Sequence, residues 1–402
     1  MPLAPRHALA LALEVLQAAR DIVAERVDEI AVPTWVAARG WEPFLGSLSD
    51  AEVARAEAGG LAAAVDSWPA APSELRRLAH QVRAATRLDA PAGTQATLRP
   101  ASLRRVGQSK RLQLEGMLQL CGPLVRRTTR VLDVGSGHGH LGRAVAEAFG
   151  ATTVGLEREP ARVAIARGLV PTGARLGYRV IDLLAEPWEL ASGDLAIGLH
   201  ACGELGDATV RAVVQARCHM VLVSCCFQKI RGPARSPLSE PMRRAGMDLR
   251  RDVLGLANLS SREQGVAGTI GEVMQARRNR LGLRLLLRAR GLETRPGEEM
   301  RGLNRRRAYG ALLPLAEAAL ATRGLPTART GEVEAAELEA RRLFERVRRL
   351  SLPRNMLARP LELSIALDRA CFLEEHGLGA EVVAVFADAA SPRNLAVVAS
   401  PR

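Results

Sequence analysis

The stretch Val131-Leu132-Asp133-Val134-Gly135-Ser136-Gly137-His138-Gly139-His140-Leu141 constrains this chain more than any other. It reads as an apolar strand, a glycine-rich turn and the start of a helix. Glycines at 135, 137 and 139 permit positive φ and let a ligand approach the backbone closely. The free N–H groups at the helix start favour a negatively charged ligand group. A strand, a turn of this kind and a helix together predict a nucleotide-type site, with an adenine-containing cofactor as the leading candidate.

The pattern around this stretch is strand–helix alternation. Strands are predicted at Arg130 to Val134, Thr152 to Leu156 (closed by Glu157), Arg179 to Ile181 (closed by Asp182), Leu195 to Leu199 and Met220 to Val223. Helices fit between them, as at Leu141 to Phe149 and Asp207 to Ala216. Such alternation implies an α/β fold with a parallel, doubly wound sheet and ligands at the carboxyl ends of the strands. A helix from Leu361 to Glu375 follows much later, then two apolar runs, Glu381 to Phe386 and Leu395 to Ala399, which read as a hairpin. Five parallel strands, an insertion, a helix and a closing hairpin resemble the seven-stranded, Rossmann-like sheet of class I methyltransferases.

The remaining segments are expected to be helical. Apolar residues recur at helical spacing from Ala8 to Val27 and from Leu75 to Leu88. Ser49 and Glu52 have the spacing of a capping box for a helix from Asp50 to Ala58. Pro91, Gly93 and Pro100 mark a linker. Residues 232 to 360 are arginine-rich, with Arg277-Arg278-Asn279-Arg280 and Arg305-Arg306-Arg307. The expected division is a helical N-terminal domain (1–100), a cofactor-binding core (101–231), a helical insertion or cap (232–360) and a C-terminal helix and hairpin completing the core (361–402).

Asp133 to Gly139 has the spacing D-x-G-x-G-x-G, and His140 stands where a dinucleotide fingerprint would place its third glycine. That departure, with the closing hairpin, favours S-adenosylmethionine over NAD. Asp133, Gly135, Gly137 and Gly139 are then cofactor-binding candidates. A carboxylate at Glu157 can accept hydrogen bonds from both ribose hydroxyls, and Asp182 is placed to meet the adenine amino group. His138 and His140 read as structural residues of the loop and helix start.

The fourth predicted strand ends in Leu199-His200-Ala201-Cys202-Gly203 and the fifth in Ser224-Cys225-Cys226-Phe227. In a doubly wound sheet these ends are neighbours, so His200, Cys202, Cys225 and Cys226 are the catalytic candidates. Methyl transfer needs an aligned nucleophile and a route for its proton, and His200 can serve as base or orienting group. Alternatively, a cysteine attacks a pyrimidine covalently. The same residue types suit zinc, but adjacent cysteines are less convenient than C-x-x-C, and no metal is expected. A fourth reading makes the cysteines small core residues. In the last turn, from Asp388 to Asn394, Arg393 and Asn394 are candidates for substrate contact.

Charge points to the partner. The formal net charge is +13, and Lys110 and Lys229 are the only lysines. A positive excess of this size favours an anionic partner such as RNA or a ribosomal component. No apolar run reaches the ~20 residues of a membrane span. His7 to Ala19 is interrupted by Glu14 and reads as an amphipathic helix, not a signal peptide. The six cysteines do not read as a secreted disulfide framework in a chain this long, and a cytoplasmic location is expected.

The separated motifs D-V-G-S-G-H-G-H-L, L-H-A-C-G, S-C-C-F-Q-K, L-D-R-A-C-F-L-E-E-H-G and S-P-R-N-L-A-V-V-A, with Ser109-Lys110-Arg111 upstream, resemble the methyltransferase-like protein 25 family from about residue 105 onward. The resemblance implies a class I methyltransferase that uses S-adenosylmethionine, with Asp133, Gly135, Gly137 and Glu157 at the cofactor. L-H-A-C-G stands where adenine N6 enzymes carry N-P-P-[FY], so that chemistry is not expected. L-H-A-C-G and the Cys-Cys pair also resemble tRNA 2′-O-methyltransferases, with Phe227-Gln228 in place of their histidines. The expected function is methyl transfer to RNA or a ribosome-associated macromolecule. The alternative is a non-catalytic RNA- or ribosome-binding factor that keeps the fold.

Overall fold

The computed structural model describes residues 4–29, 31–88, 106–258, 270–387 and 390–402. The expected linker at 91–100 and the first residue of the last turn, Asp388, lie outside them. Seven strands form one sheet in the order β3-β2-β1-β4-β5-β7-β6. They are β1 (Arg130–Val134), β2 (Thr153–Glu157), β3 (Leu176–Val180), β4 (Asp194–Leu199), β5 (His219–Val223), β6 (Leu378–Ala384) and β7 (Leu395–Pro401). β1 to β5 pair in parallel, and β7 runs antiparallel to both β5 and β6. This is the expected class I methyltransferase sheet. The strand order reverses between β1 and β4, which opens a crevice at their carboxyl ends.

Burial explains why these segments are strands. β4 is buried along its whole length and β1 along four of its five residues, as expected for central parallel strands covered on both faces. Arg130 closes the opposite end of this pair with two hydrogen bonds to the Asp194 carboxylate, at 2.9 and 2.6 Å. β3 begins earlier than the predicted Arg179 to Ile181, because it is an edge strand and buries only Tyr178. β6 is likewise shifted toward the N-terminus. Val385 and Phe386 leave the strand and pack into the core beside Leu114, Met117 and Leu118.

Those three core residues lie on a helix, Gln108–Val125, that hydrophobic periodicity did not predict. Pro123 sits within it, and Gly116 and Gly122 dilute its apolar face. The capping box at Ser49 forms as expected, with Ser49 N–H donating to Glu52 at 2.8 Å and Glu52 N–H donating to Ser49 Oγ at 3.3 Å. The apolar stretch at 8–27 divides into two helices, Pro5–Ala18 and Arg20–Ala24. No helix among the described residues is long and apolar enough to cross a membrane.

Contacts divide the chain into two compact units that cut across the expected sequential domains. One holds Met1–Ala24, Arg77–Gly265 and Met356–Arg402 and contains the sheet. In it, helix Pro5–Ala18 packs against helix Ala358–Glu375. The other holds Glu25–Arg76 and Val266–Asn355. Its core joins Leu283, Leu286 and Leu287 to Leu315, Leu320 and Val333. Several arginines of the basic stretch are structural here. Arg284 pairs with Glu29 at 2.8 Å, Arg280 with Glu299 at 2.6 Å and Arg348 with Glu57 at 2.7 Å. Arg305, Arg306 and Arg307 differ: they are exposed on a single 3-10 turn and have no ion-pair partner among the described residues.

Candidate active site

The glycine loop takes the conformation its composition predicts. Gly135, Gly137 and Gly139 have φ of +66°, +55° and +71°. The space that a side chain at Gly137 would enter is open, so a ligand can reach its backbone. A Cβ at Gly139 would collide with the Tyr178 ring, whose hydroxyl donates to the Gly139 carbonyl at 3.2 Å. Tyr178 thus supports the loop from below, and only glycine fits above it.

Two carboxylates brace this loop. Asp133 is 2 % exposed, and its Oδ2 accepts from the Gly142 N–H at 2.9 Å in the first turn of the helix His140–Phe149. Burial pushes its carboxyl up to about 7, against the opposing pull of that hydrogen bond and of Lys110. Glu157 is 7 % exposed and ends β2. Its Oε2 accepts from Gly137 N–H at 2.9 Å, and its Oε1 from Glu159 N–H at 3.0 Å. A carboxylate oxygen has two acceptor positions, so each keeps one for a ligand hydroxyl. Asp182 follows β3 through Ile181, whose N–H donates to the Glu157 carbonyl at 2.9 Å. Its own carboxylate is engaged by Leu184 N–H at 3.0 Å and faces Arg231 at 3.5 Å.

Across the crevice, the ends of β4 and β5 meet as expected. His200 has φ of +80°, uncommon for a residue with a Cβ, and its N–H donates to the Val223 carbonyl at 2.9 Å. Its Nε2 lies 3.2 Å from Gln113 Oε1. Gln113 Nε2 in turn donates to the Ala390 carbonyl at 3.2 Å, which fixes the amide with its oxygen toward the histidine. Nε2 therefore carries the proton, and Nδ1 carries the lone pair. The residue as a whole is exposed, yet its imidazole is crowded by neighbouring groups. Desolvation there, with Lys110, Arg393 and Lys229 nearby, holds the imidazole below its usual range and so neutral.

The three cysteine candidates converge. The sulfurs of Cys202, Cys225 and Cys226 all lie within 4.8 Å of one another. Cys202 is buried and the other two are half-buried. Arg393 donates to Cys226 Sγ at 3.2 Å. Hydrogen bonds from the Cys202 and Cys225 thiols, then the Arg393 charge, make Cys226 the most readily ionised of the three. The remaining candidate, Asn394, is 4 % exposed. It donates to the Phe386 carbonyl at 2.9 Å and accepts from Arg359 at 2.8 Å. Both ends of its amide are committed inside the protein, so it holds the last turn in place and does not face a substrate.

Four residues of this region were absent from the candidates read in the sequence. Arg369 is 1 % exposed and bolts the turns after β4 and β5 together. It donates to Asp207 at 2.8 Å, to Ser224 Oγ at 2.6 Å and to the Gly203 carbonyl at 3.1 Å. Gln113 orients His200. Lys110 and Lys229 complete the set, because both act electrostatically on His200. Lys110 is half-buried between Asp133 and Cys225 and has no ion-pair partner among the described residues. A sequence signal for these two existed: they are the only lysines in a chain otherwise using arginine.

Residues 109–233 match a family model described as a methyltransferase domain. Among solved structures, the chain is similar to a TehB-like SAM-dependent methyltransferase from Corynebacterium glutamicum, at 18 % identity over 27 % of this chain and 60 % of that one, with a TM-score of 0.23. It is also similar to a 16S rRNA N2 methyltransferase from T. thermophilus, at 27 % identity over 31 % of this chain and 36 % of that one (TM-score 0.25). A third is the sugar N-methyltransferase KedS8 from Streptoalloteichus, at 20 % identity over 34 % and 57 % (TM-score 0.24). The chain thus spans less than two thirds of each of these proteins. Family match, sheet order and braced glycine loop agree: the chain carries a class I methyltransferase domain with S-adenosylmethionine as its methyl donor.

Proposed function

We propose that the chain transfers a methyl group from S-adenosylmethionine to RNA. The observation that carries this reading is the meeting of two half-sites at one crevice. A glycine loop braced by Glu157 faces strand ends bearing a neutral, exposed His200 whose Nδ1 lone pair is available. The open backbone at Gly137 lets the cofactor approach, with Gly135 and Gly139 shaping the loop around it, the two free acceptor positions of Glu157 take the ribose hydroxyls, and Asp182 stands beyond it toward the base. On the acceptor side, His200 Nδ1 accepts a hydrogen bond from the N–H or O–H of the group to be methylated and aligns it. Cys202, Cys225, Cys226 and Arg393 wall that side. The RNA assignment is supported by the net charge of +13 and by the exposed, unpaired Arg305-Arg306-Arg307 turn, whose guanidiniums suit phosphate. The motif resemblance to the methyltransferase-like protein 25 family and six cysteines free of disulfides fit an enzyme of a reducing, cytoplasmic compartment.

The test is methyl transfer from radiolabelled S-adenosylmethionine into extract from cells lacking the gene. Label released by ribonuclease supports the reading, and label released only by protease moves the substrate to a protein. Unlabelled fractions despite measured cofactor binding would leave a non-catalytic RNA-binding factor. A His200→Asn variant keeps a residue that tolerates the left-handed backbone. Misalignment of the acceptor costs about 100-fold in kcat, with the cofactor Kd unchanged; unaltered turnover removes His200 from the site.

A further inference from the structure

We propose that Cys202, Cys225 and Cys226 form a binding site for one thiophilic divalent cation, zinc being the natural occupant. The three sulfurs come from two separate turns, yet all lie within 4.8 Å of one another. The Cys225 and Cys226 sulfurs are 3.7 Å apart. A zinc–thiolate bond of ~2.3 Å in tetrahedral geometry places neighbouring sulfurs about 3.8 Å apart. The cluster therefore needs little movement to close around an ion.

The scaffold beneath the sulfurs is built to hold them. Ser224, next to Cys225, donates to the carbonyl of Ala201, next to Cys202, at 2.7 Å. Arg369 reaches both turns at once, through Ser224 Oγ and the Gly203 carbonyl, and is fixed by Asp207. Arg235 donates to the other oxygen of Asp207 at 2.8 Å, so the bolt is itself buried and paired. Phe227, immediately after Cys226, is buried beneath the Arg369 guanidinium at 5.7 Å. A plain core of small residues does not require such bracing of the two turns that carry the thiols. Metal ligands do, because outer-shell hydrogen bonds orient them and tune the ion.

The donor set selects the ion. Three sulfurs without a carboxylate favour zinc over magnesium or calcium. Binding exchanges three S–H bonds for three metal–sulfur bonds and releases three protons, giving a site of net charge −1. The Arg393 N–H···S contact to Cys226 at 3.2 Å is a donor to that surplus charge. Cys225 and Cys226 are half-buried on the cleft side, which leaves a path for the ion and a fourth position for solvent. This inference is independent of the substrate assigned above.

The test uses the full chain purified under reducing conditions, treated with a chelator and titrated with zinc alone or cobalt alone. The expected result is one ion per chain, release of protons on binding, and a near-ultraviolet thiolate-to-cobalt charge-transfer band. Cys202→Ser and Cys226→Ser each weaken zinc binding at least about tenfold. Cys218→Ala and Cys371→Ala, at buried thiols outside the cluster, leave it unchanged. Circular dichroism and S-adenosylmethionine binding establish that each variant is folded. The wild-type cobalt spectrum stands by itself if the serine variants do not fold. Absence of the charge-transfer band in the wild type, or binding that survives both serine substitutions, overturns the site.

Discussion

Asp133 offers a sharp test because its burial and its position at the loop pull in opposite directions. An unfolded chain ionises an aspartate near ~3.9, whereas burial pushes Asp133 up to about 7. Each tenfold change in proton affinity is worth about 1.4 kcal/mol, so ionising Asp133 costs the fold about 4 kcal/mol. The sign follows from the direction of the shift. A carboxyl that binds its proton more tightly when folded lends stability below ~3.9, and that stability is lost progressively as pH rises through about 7. Asp133→Asn removes the ionisation. Its amide oxygen can still accept from Gly142 N–H, but the new NH2 group enters a site with no acceptor provided for it, which costs about 2 kcal/mol. Summing the two effects, the variant is less stable than wild type by about 1 kcal/mol at pH 4.5 and more stable by about 2 kcal/mol at pH 8.5, crossing between about pH 5 and 6. Hydrogen exchange of peptides covering β1 and β4, followed in urea across this range, reads the stability of the sheet itself. Intrinsic fluorescence is a mixed probe, since Trp35, Trp41 and Trp68 lie in the other compact unit and Trp188 lies in the sheet-containing one. A wild-type-to-variant difference of one constant sign across the pH range would refute the reasoning.

Three further outcomes are expected. Lys110→Met removes a charge that pulls the Asp133 carboxyl down, so the variant's loss of stability should begin at the same pH as in the wild type but continue to higher pH and go deeper; an unchanged profile would detach Lys110 from Asp133. Glu157→Ala deletes the acceptor of the Gly137 and Glu159 N–H groups and any bond to a ribose; hydrogen bonds to charged groups are worth about 1.5–3 kcal/mol, so calorimetry should show S-adenosylmethionine binding roughly 10- to 100-fold weaker. Replacing Arg305, Arg306 and Arg307 together by glutamate should weaken RNA binding across sequences. It should also reduce the slope of log affinity against log salt by about 0.7 for each single-strand phosphate that these arginines no longer neutralise. An unchanged slope would place the RNA elsewhere.

The parts of this molecule that were readable in the sequence are those whose physics is local. The glycine turn needs positive φ at three alternate positions, and no other residue supplies it at so little cost. The Ser49–Glu52 box closes within one helical turn. Glu157, His200 and the cysteines were found because strand periodicity places each of them at a carboxyl end. What stayed hidden depends on partners far along the chain. Helix Gln108–Val125 has no clean apolar stripe, and it buries Leu114, Met117 and Leu118 in a core built from β1, β4, β5, the helix His140–Phe149 and the Val385–Phe386 segment that turns off β6. The same helix carries Lys110 and Gln113 to a histidine some ninety residues away, a distance in sequence that no periodicity spans. Arg369 shows the limit most plainly. In sequence it is one of many arginines on helical segments, and the default for such a residue is a solvated face. In the fold it is 1 % exposed and joins Asp207, Ser224 and the Gly203 carbonyl. An isolated guanidinium there would be prohibitively costly to bury, so Asp207 and the two turns must be in place before Arg369 is tolerated. The dependence runs both ways: without Arg369, Asp207 keeps only Arg235 and the two thiol-bearing turns lose their common tie. The chemistry at the end of the sheet is thus held by a residue that only the completed fold distinguishes from its neighbours.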